Sequence, residues 1–319
     1  MTHTIINPTI TEDIEMRKVY ADTILELAEN NENIYSLDAD LMGAISTNKI
    51  QSNLPKQIIN CGIMEANMVG IAAGLSLTGK VPFIHSFAQF VTRRTYDQLF
   101  LSAGYAKLNV KILGSDSGVT AEFNGGTHMP FEDLGLMRLI PNAVVYEASD
   151  STMLRYLLKK VADEYGVHYI RTIRKAAVKL YDDNETFDEG KGKVLREGKD
   201  ITLIASGIMV AESLKAAELL AQEGIEASVI DMYSIKPIDK DLIVEYAQKT
   251  KAIVTAENHN VIGGLGSAVA EVLSEHCPTP LRRIGVKEQF GQVGRAPYLK
   301  EVFKLTADDI VKAARSLKE

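Results

Sequence analysis

The stretch CGIMEANMVGIAAGLSLTGKVPFIHSF, residues 61–87, sets an apolar, small-residue run directly before a strand-like one. Glu65 opens the first run, which predicts a helix from 65 to about 78. Residues 81–84 predict a buried strand. A helix feeding a fully apolar strand is the repeating unit of a parallel α/β sheet, covered on both faces.

The same alternation continues outward. Thr11-Glu12-Asp13 precede a helical pattern through Met16, Val19, Tyr20, Thr23, Ile24 and Leu27. Strands are expected at 34–37, 57–60, 110–113, 144–147 and 168–172, with helices at 95–103 and 151–164. Residues 176–200 are polar and charge-rich, and predict an exposed connection with room for a short hairpin. A second unit follows, with strands at 201–205, 227–230, 252–256 and 281–284 and helices at 211–223, 240–249, 266–276 and 307–317. The expected organisation is two parallel-sheet α/β domains, 10–175 and 201–319, joined by a linker at 176–200.

Composition fits that picture and excludes other classes. The 319 residues suggest about two domains. Thirty-five Lys and Arg against 42 Asp and Glu give a net charge of -7, with no basic block of the kind a nucleic-acid binder carries. With 46% apolar residues the chain can bury substantial cores, yet no apolar run approaches the length of a membrane span. The first residues show no charged n-region or apolar h-region, so no secretory signal is expected. Cys61 and Cys277 lie far apart and match no zinc spacing, which suggests a reduced, cytoplasmic protein.

Several residues could carry chemistry. Glu65 is either a charge favoured by the helix dipole or a desolvated carboxyl poised to share a proton with a ligand. Ala66, Gly70, Ala72, Ala73 and Gly74 suit close helix packing, at a subunit interface or in an ordinary core. Phe87 follows a strand at the sheet edge where such folds bind ligands, and Phe90 lies three residues on. Arg93 and Arg94 are solvated charges, or one of them meets an anionic substrate.

In combination, residues 62–87, GGTHMP (125–130) and LIPN (139–142) resemble the pyrimidine-binding domain of thiamine-diphosphate enzymes of the transketolase family. Met137-Arg138 and Asp150 fit the same pattern. ENHNVIGGLG (257–266) is similar to the family's C-terminal domain, and the resemblance covers about residues 10–318. In that family a glutamate hydrogen-bonds N1′ of the cofactor's aminopyrimidine, and by position Glu65 carries this role. The resemblance further places Phe87, Phe90 and Ile63 against the cofactor and His128 beside the substrate's reacting carbon. Arg17 and Arg174 match positions that bind a sugar phosphate, with Ser46 or Thr47 as a further contact.

Departures from the family pattern concern the substrate. Ser115 stands where common transketolases have a histidine before Asp116, and Asn124 stands at the position of an acidic residue that reads hydroxyl stereochemistry. Arg93 replaces an aromatic, in the style of deoxyxylulose-phosphate synthases. His259 and the glycines at 263–266 invite a dinucleotide reading, but the glycine pattern is weak.

The resemblance also implies a missing half. The magnesium-binding Gly-Asp-Gly that should hold the diphosphate occurs nowhere in the chain. The implied protein is the C-terminal subunit of a split transketolase. Its partner would be an N-terminal subunit carrying GDG and a later Asn, which holds Mg2+ and shares thiamine diphosphate with this chain in an α2β2 assembly. This chain itself would ligate no metal. Alternatives are the β subunit of a 2-oxo-acid dehydrogenase E1, a deoxyxylulose-phosphate-synthase-like enzyme, and a noncatalytic regulatory or binding module that keeps the fold.

Overall fold

The structure is a computed structural model and describes residues 8–318. Its strands are β1 (Ile34–Asp38), β2 (Ile58–Asn60), β3 (Val81–Phe87), β4 (Val110–Ser115), β5 (Val144–Glu147) and β6 (Val167–Arg171). The second half contributes β7 (Lys193–Arg196), β8 (Ile201–Ala205), β9 (Ala227–Asp231), β10 (Ser234–Lys236), β11 (Ile253–Asn260) and β12 (Leu281–Val286). They form a seven-stranded sheet, β10-β5-β6-β4-β3-β1-β2, and a five-stranded sheet, β12-β11-β8-β9-β7. Interior strands such as β4, β6, β8 and β9 are buried along their whole length, as a sheet covered by helices on both faces requires.

The two parallel-sheet domains are therefore present, with one antiparallel edge strand in each. β7 pairs antiparallel with β9, and β10 pairs antiparallel with β5. β10 comes from the second half of the chain but completes the first sheet. Pro237 follows it directly, and a proline suits an edge because its missing N–H breaks no ladder bond.

The connection at 176–200 departs from the expected exposed chain. Leu180, Tyr181, Phe187 and Leu195 are buried. Phe187 packs edge-on against Tyr156, Tyr181 and Tyr233, which wedges the segment between the domains. Asp150 caps the helix Ser151–Asp163 through Met153 N, and its second oxygen accepts from Leu180 N and Tyr181 N. Charged residues around a few aromatic plugs gave this segment its polar look. The helix expected at 95–103 is also irregular: a short turn, Tyr96–Gln98, widens into π-helix over Leu99–Tyr105.

Arg171, fully buried, staples the two halves. Its Nε donates to Asp133 Oδ2 (2.7 Å), Nη1 to Glu147 Oε1 (2.5 Å) and Nη2 to the Asn258 carbonyl (2.9 Å). Glu147 in turn accepts from Ser206 Oγ, directly after β8 of the second sheet. Asp133 is held below the usual carboxylate range: burial, the largest single influence, opposes this, but the Arg171 guanidinium, His259 and the Tyr169 hydroxyl together outweigh it. Among the described residues no helix is long and apolar enough to cross a membrane.

Candidate active site

Glu65 is the first residue of the helix Glu65–Leu77 and is 4% exposed. The helix N-terminus favours its negative charge. Its carboxylate is paired, 2.6 Å from Arg94 Nη1. The same guanidinium lies over the Phe90 ring, 4.1 Å from its centroid. Phe87, Phe90 and His128 form one aromatic cluster, with centroids 6.1 Å apart for the two phenylalanines and 5.1 Å for Phe90 and His128. Thr127 Oγ1 sits 2.8 Å from His128 Nδ1, which couples the ring's tautomer to that hydroxyl.

The two arginines matched to sugar phosphate meet through the backbone, where Arg17 N donates to the Arg174 carbonyl. Each head group already has a carboxylate: Arg17 pairs with Glu15 at 2.7 Å and Arg174 with Asp116 at 3.0 Å. The Arg174 guanidinium also lies over Phe87, at 5.5 Å. Ser46 and Thr47 are buried between two short helical turns, Met42–Ile45 and Thr47–Lys49, and Ser46 adopts a left-handed conformation, φ 70°. Thr47 Oγ1 has no hydrogen-bond partner among the described residues.

Other expected residues lie apart from this cluster. Arg93 turns outward to Glu132, 2.8 Å away, and is more than half exposed. Asn124 is exposed at the end of the Gly118–Asn124 turn, and Ile63 is exposed on the loop before Glu65. A cavity of about 540 Å³ lies farther off, between Phe131–Leu139 and Asn260–Glu271, and none of Glu65, Phe87, Phe90 or His128 lines it.

Sequence reasoning did not single out Arg94 as the partner of Glu65, and it passed over Asp38 and His85. The signal for Arg94 was its adjacency to Arg93 in a turn three to four residues after Phe90. For His85 it was an imidazole directly after the apolar run 81–84 of β3.

The glycine run at 263–266 serves packing. Glu257 accepts from Leu265 N and Gly266 N, so a carboxylate of this chain already fills the start of the helix Leu265–His276. A Cβ at Gly264 would lie 2.0 Å from Glu257 Oε2. Burial pushes the Glu257 carboxyl up to about 8. A dinucleotide phosphate has no place there.

A family model described as the transketolase pyrimidine binding domain matches residues 12–178. The chain belongs to the transketolase family. Residues 190–310 match the transketolase C-terminal domain. Among relatives of this transketolase-family chain, the 6-deoxy-6-sulfo-D-fructose transketolase subunit SqwH of Clostridium sp. (strain MSTE9) is 51% identical over 308 residues, covering 97% of this chain and 96% of its own. An apulose-4-phosphate transketolase subunit of Phocaeicola vulgatus is 35% identical, covering 94% and 96%. A solved structure, titled "Split gene transketolase, inactive beta4 tetramer", superposes with a TM-score of 0.88 at 43% identity, over 96% of this chain and 98% of that one. The transketolase resemblance and the two-domain α/β fold read from the sequence are both supported by these matches.

Proposed function

We propose that this chain is the pyrimidine-side subunit of a thiamine-diphosphate-dependent transketolase that moves a two-carbon ketol unit between anion-bearing sugars. One observation carries the reading: a buried carboxylate, Glu65, beside the Phe87–Phe90–His128 cluster, in a chain that has no Gly-Asp-Gly. The residues fit the aminopyrimidine half of the cofactor, because an aromatic face and an adjacent carboxylate are what a flat, nitrogen-bearing ring needs. They do not supply the diphosphate half. That half, with Mg2+, is assigned to an N-terminal partner chain carrying GDG and a later Asn. Ile63, Met64 and Leu77 are exposed around the Glu65 helix, and Gly70 and Gly74 on it face open space, a surface suited to a second subunit. An α2β2 assembly in the cytoplasm completes the proposal.

When bound, the cofactor supplies a nucleophilic carbon and an electron sink for the two-carbon unit. Glu65 would hold a proton between its carboxyl and the pyrimidine nitrogen, and its burial suits that task. Phe87 and Phe90 would orient the ring and exclude water. His128 would act on the oxygen at the reacting carbon, and Arg17, Arg174 and Ser46 would hold the substrate's terminal anion, a phosphate or a sulfonate. Arg93 and Asn124 are assigned to the rim of the substrate channel.

Arg94 makes the two contacts that the pyrimidine would make, to Glu65 and to Phe90. Cofactor binding therefore has to displace it. In the reconstituted complex, Arg94→Ala is expected to bind thiamine diphosphate roughly tenfold more tightly, about 1.4 kcal/mol, measured by calorimetric titration. Weaker binding would mean that Arg94 supports the cofactor instead.

The functional reading is tested by product analysis. Both chains, cofactor and Mg2+ are mixed with an aldose acceptor and ketose donors ending in phosphate, sulfonate or a plain hydroxyl. Transfer of two carbons supports the proposal, and decarboxylation of 2-oxo acids without ketol transfer points to the dehydrogenase alternative.

A further inference from the structure

The carboxyl ends of three neighbouring strands bring a buried chain of polar groups together. Asp38 ends β1, His85 lies opposite it on β3, and Ser115 ends β4 beside Phe87. Asp38 Oδ2 lies 2.5 Å from His85 Nδ1, and His85 Nε2 lies 3.0 Å from Ser115 Oγ. Ser115 Oγ is 3.0 Å from Asp116 Oδ2, and Asp116 Oδ1 is 3.0 Å from Arg174 Nη2. Asp38, His85, Ser115 and Asp116 are all buried. The Tyr20 ring packs against the imidazole, and Asp38 also accepts from Leu41 N on the loop leading to Ser46.

The order Asp–His–Ser has the connectivity of a nucleophile triad, but Ser115 is fully buried and out of reach of a substrate. Its hydroxyl lies between an imidazole nitrogen and a carboxylate, so two contacts fix its position whichever takes its proton. Asp116 adopts a left-handed backbone conformation, φ 59°, a sparsely populated state for a non-glycine residue that surrounding structure has to enforce. Burial raises the Asp116 carboxyl, and Arg174 chiefly opposes that rise. The chain of contacts thus ends on the one partly exposed group in it, the Arg174 guanidinium.

We propose that Asp38 and His85 are positioning residues that act through Ser115 and Asp116 to fix the plane of Arg174 for the substrate's anionic end. The inference rests on the proposed role of Arg174 as an anion ligand. A guanidinium recognises phosphate or sulfonate as a fixed fork, so its orientation matters as much as its charge. Ser115 stands where common members of the family place a histidine. In this chain the imidazole sits one strand away, behind the serine, and reaches the anion only through Asp116 and Arg174. The device makes discrimination of the substrate's terminus depend on residues that never touch it.

The test uses the reconstituted complex and three donors: a ketose 6-phosphate, its 6-sulfonate counterpart, and erythrulose, which has no terminal anion. Ser115→Ala and His85→Gln are expected to raise KM for both anionic donors about tenfold, to change kcat less than twofold, and to spare erythrulose. Ser115→Thr keeps the hydroxyl and is expected to stay near wild type. Equal losses on all three donors would assign a merely structural role and overturn the proposal, as would an unchanged KM in both variants. If the anion-site reading itself is wrong, the wild-type complex will use erythrulose as well as the phosphate, and the proposal falls with that reading.

Discussion

In the reconstituted two-chain enzyme, Glu65→Gln is expected to lower kcat by a factor of about 100 to 10,000, the range of a lost general acid–base contribution. The substitution keeps the side chain's size and its place at the helix start, so the loss should fall on proton handling. A glutamine amide can hydrogen-bond a pyrimidine nitrogen but cannot give or take its proton. The pair with Arg94 is also lost. Arg94 is 47% exposed, so that loss costs little stability, about 1 kcal/mol at most. Circular-dichroism melting should therefore change by only a few degrees while steady-state turnover collapses. A variant that keeps full turnover would remove Glu65 from the mechanism.

Arg171→Met should damage the fold more than any single change at the active site. The arginine is fully buried and holds two buried carboxylates, Asp133 and Glu147, together with the Asn258 carbonyl of the second sheet. Removing one partner from such a network leaves uncompensated charge in the interior, a cost of about 3–5 kcal/mol. For a chain of this size that corresponds to a fall in melting temperature of roughly 4–8 °C. Arg171→Lys should be nearly as harmful, because an ammonium cannot make the forked contacts to both carboxylates. Calorimetry on the purified chain checks this, and a shift of less than about 2 °C would contradict the assignment of Arg171 as the staple between the halves.

Much of this was legible in the sequence, for identifiable reasons. The regular exchange of helical and strand-like runs revealed both α/β units, because buried parallel strands are continuously apolar. β7 and β10 escaped that signal. Each is short and at a sheet edge, so neither needs an apolar run, and β10 finds its partner about 90 residues earlier in the chain. Phe187 and Tyr181 were hidden among acidic residues, so the segment around them read as exposed. At the site, Glu65, Phe87, Phe90 and His128 stood out by motif. The Arg94–Glu65 pair and the Asp38–His85–Ser115 chain are products of tertiary geometry. Their members lie 29 to 47 residues apart, and no local pattern links them.

The central claim is that this chain holds one half of an active site, and a titration tests it most directly. A fixed amount of the chain, with thiamine diphosphate, Mg2+ and an anionic ketose donor with its acceptor, is mixed with rising amounts of the N-terminal partner. No ketol transfer is expected at zero partner, followed by a rise that saturates at one partner chain per chain. Full, cofactor-dependent transfer by this chain alone would contradict the claim.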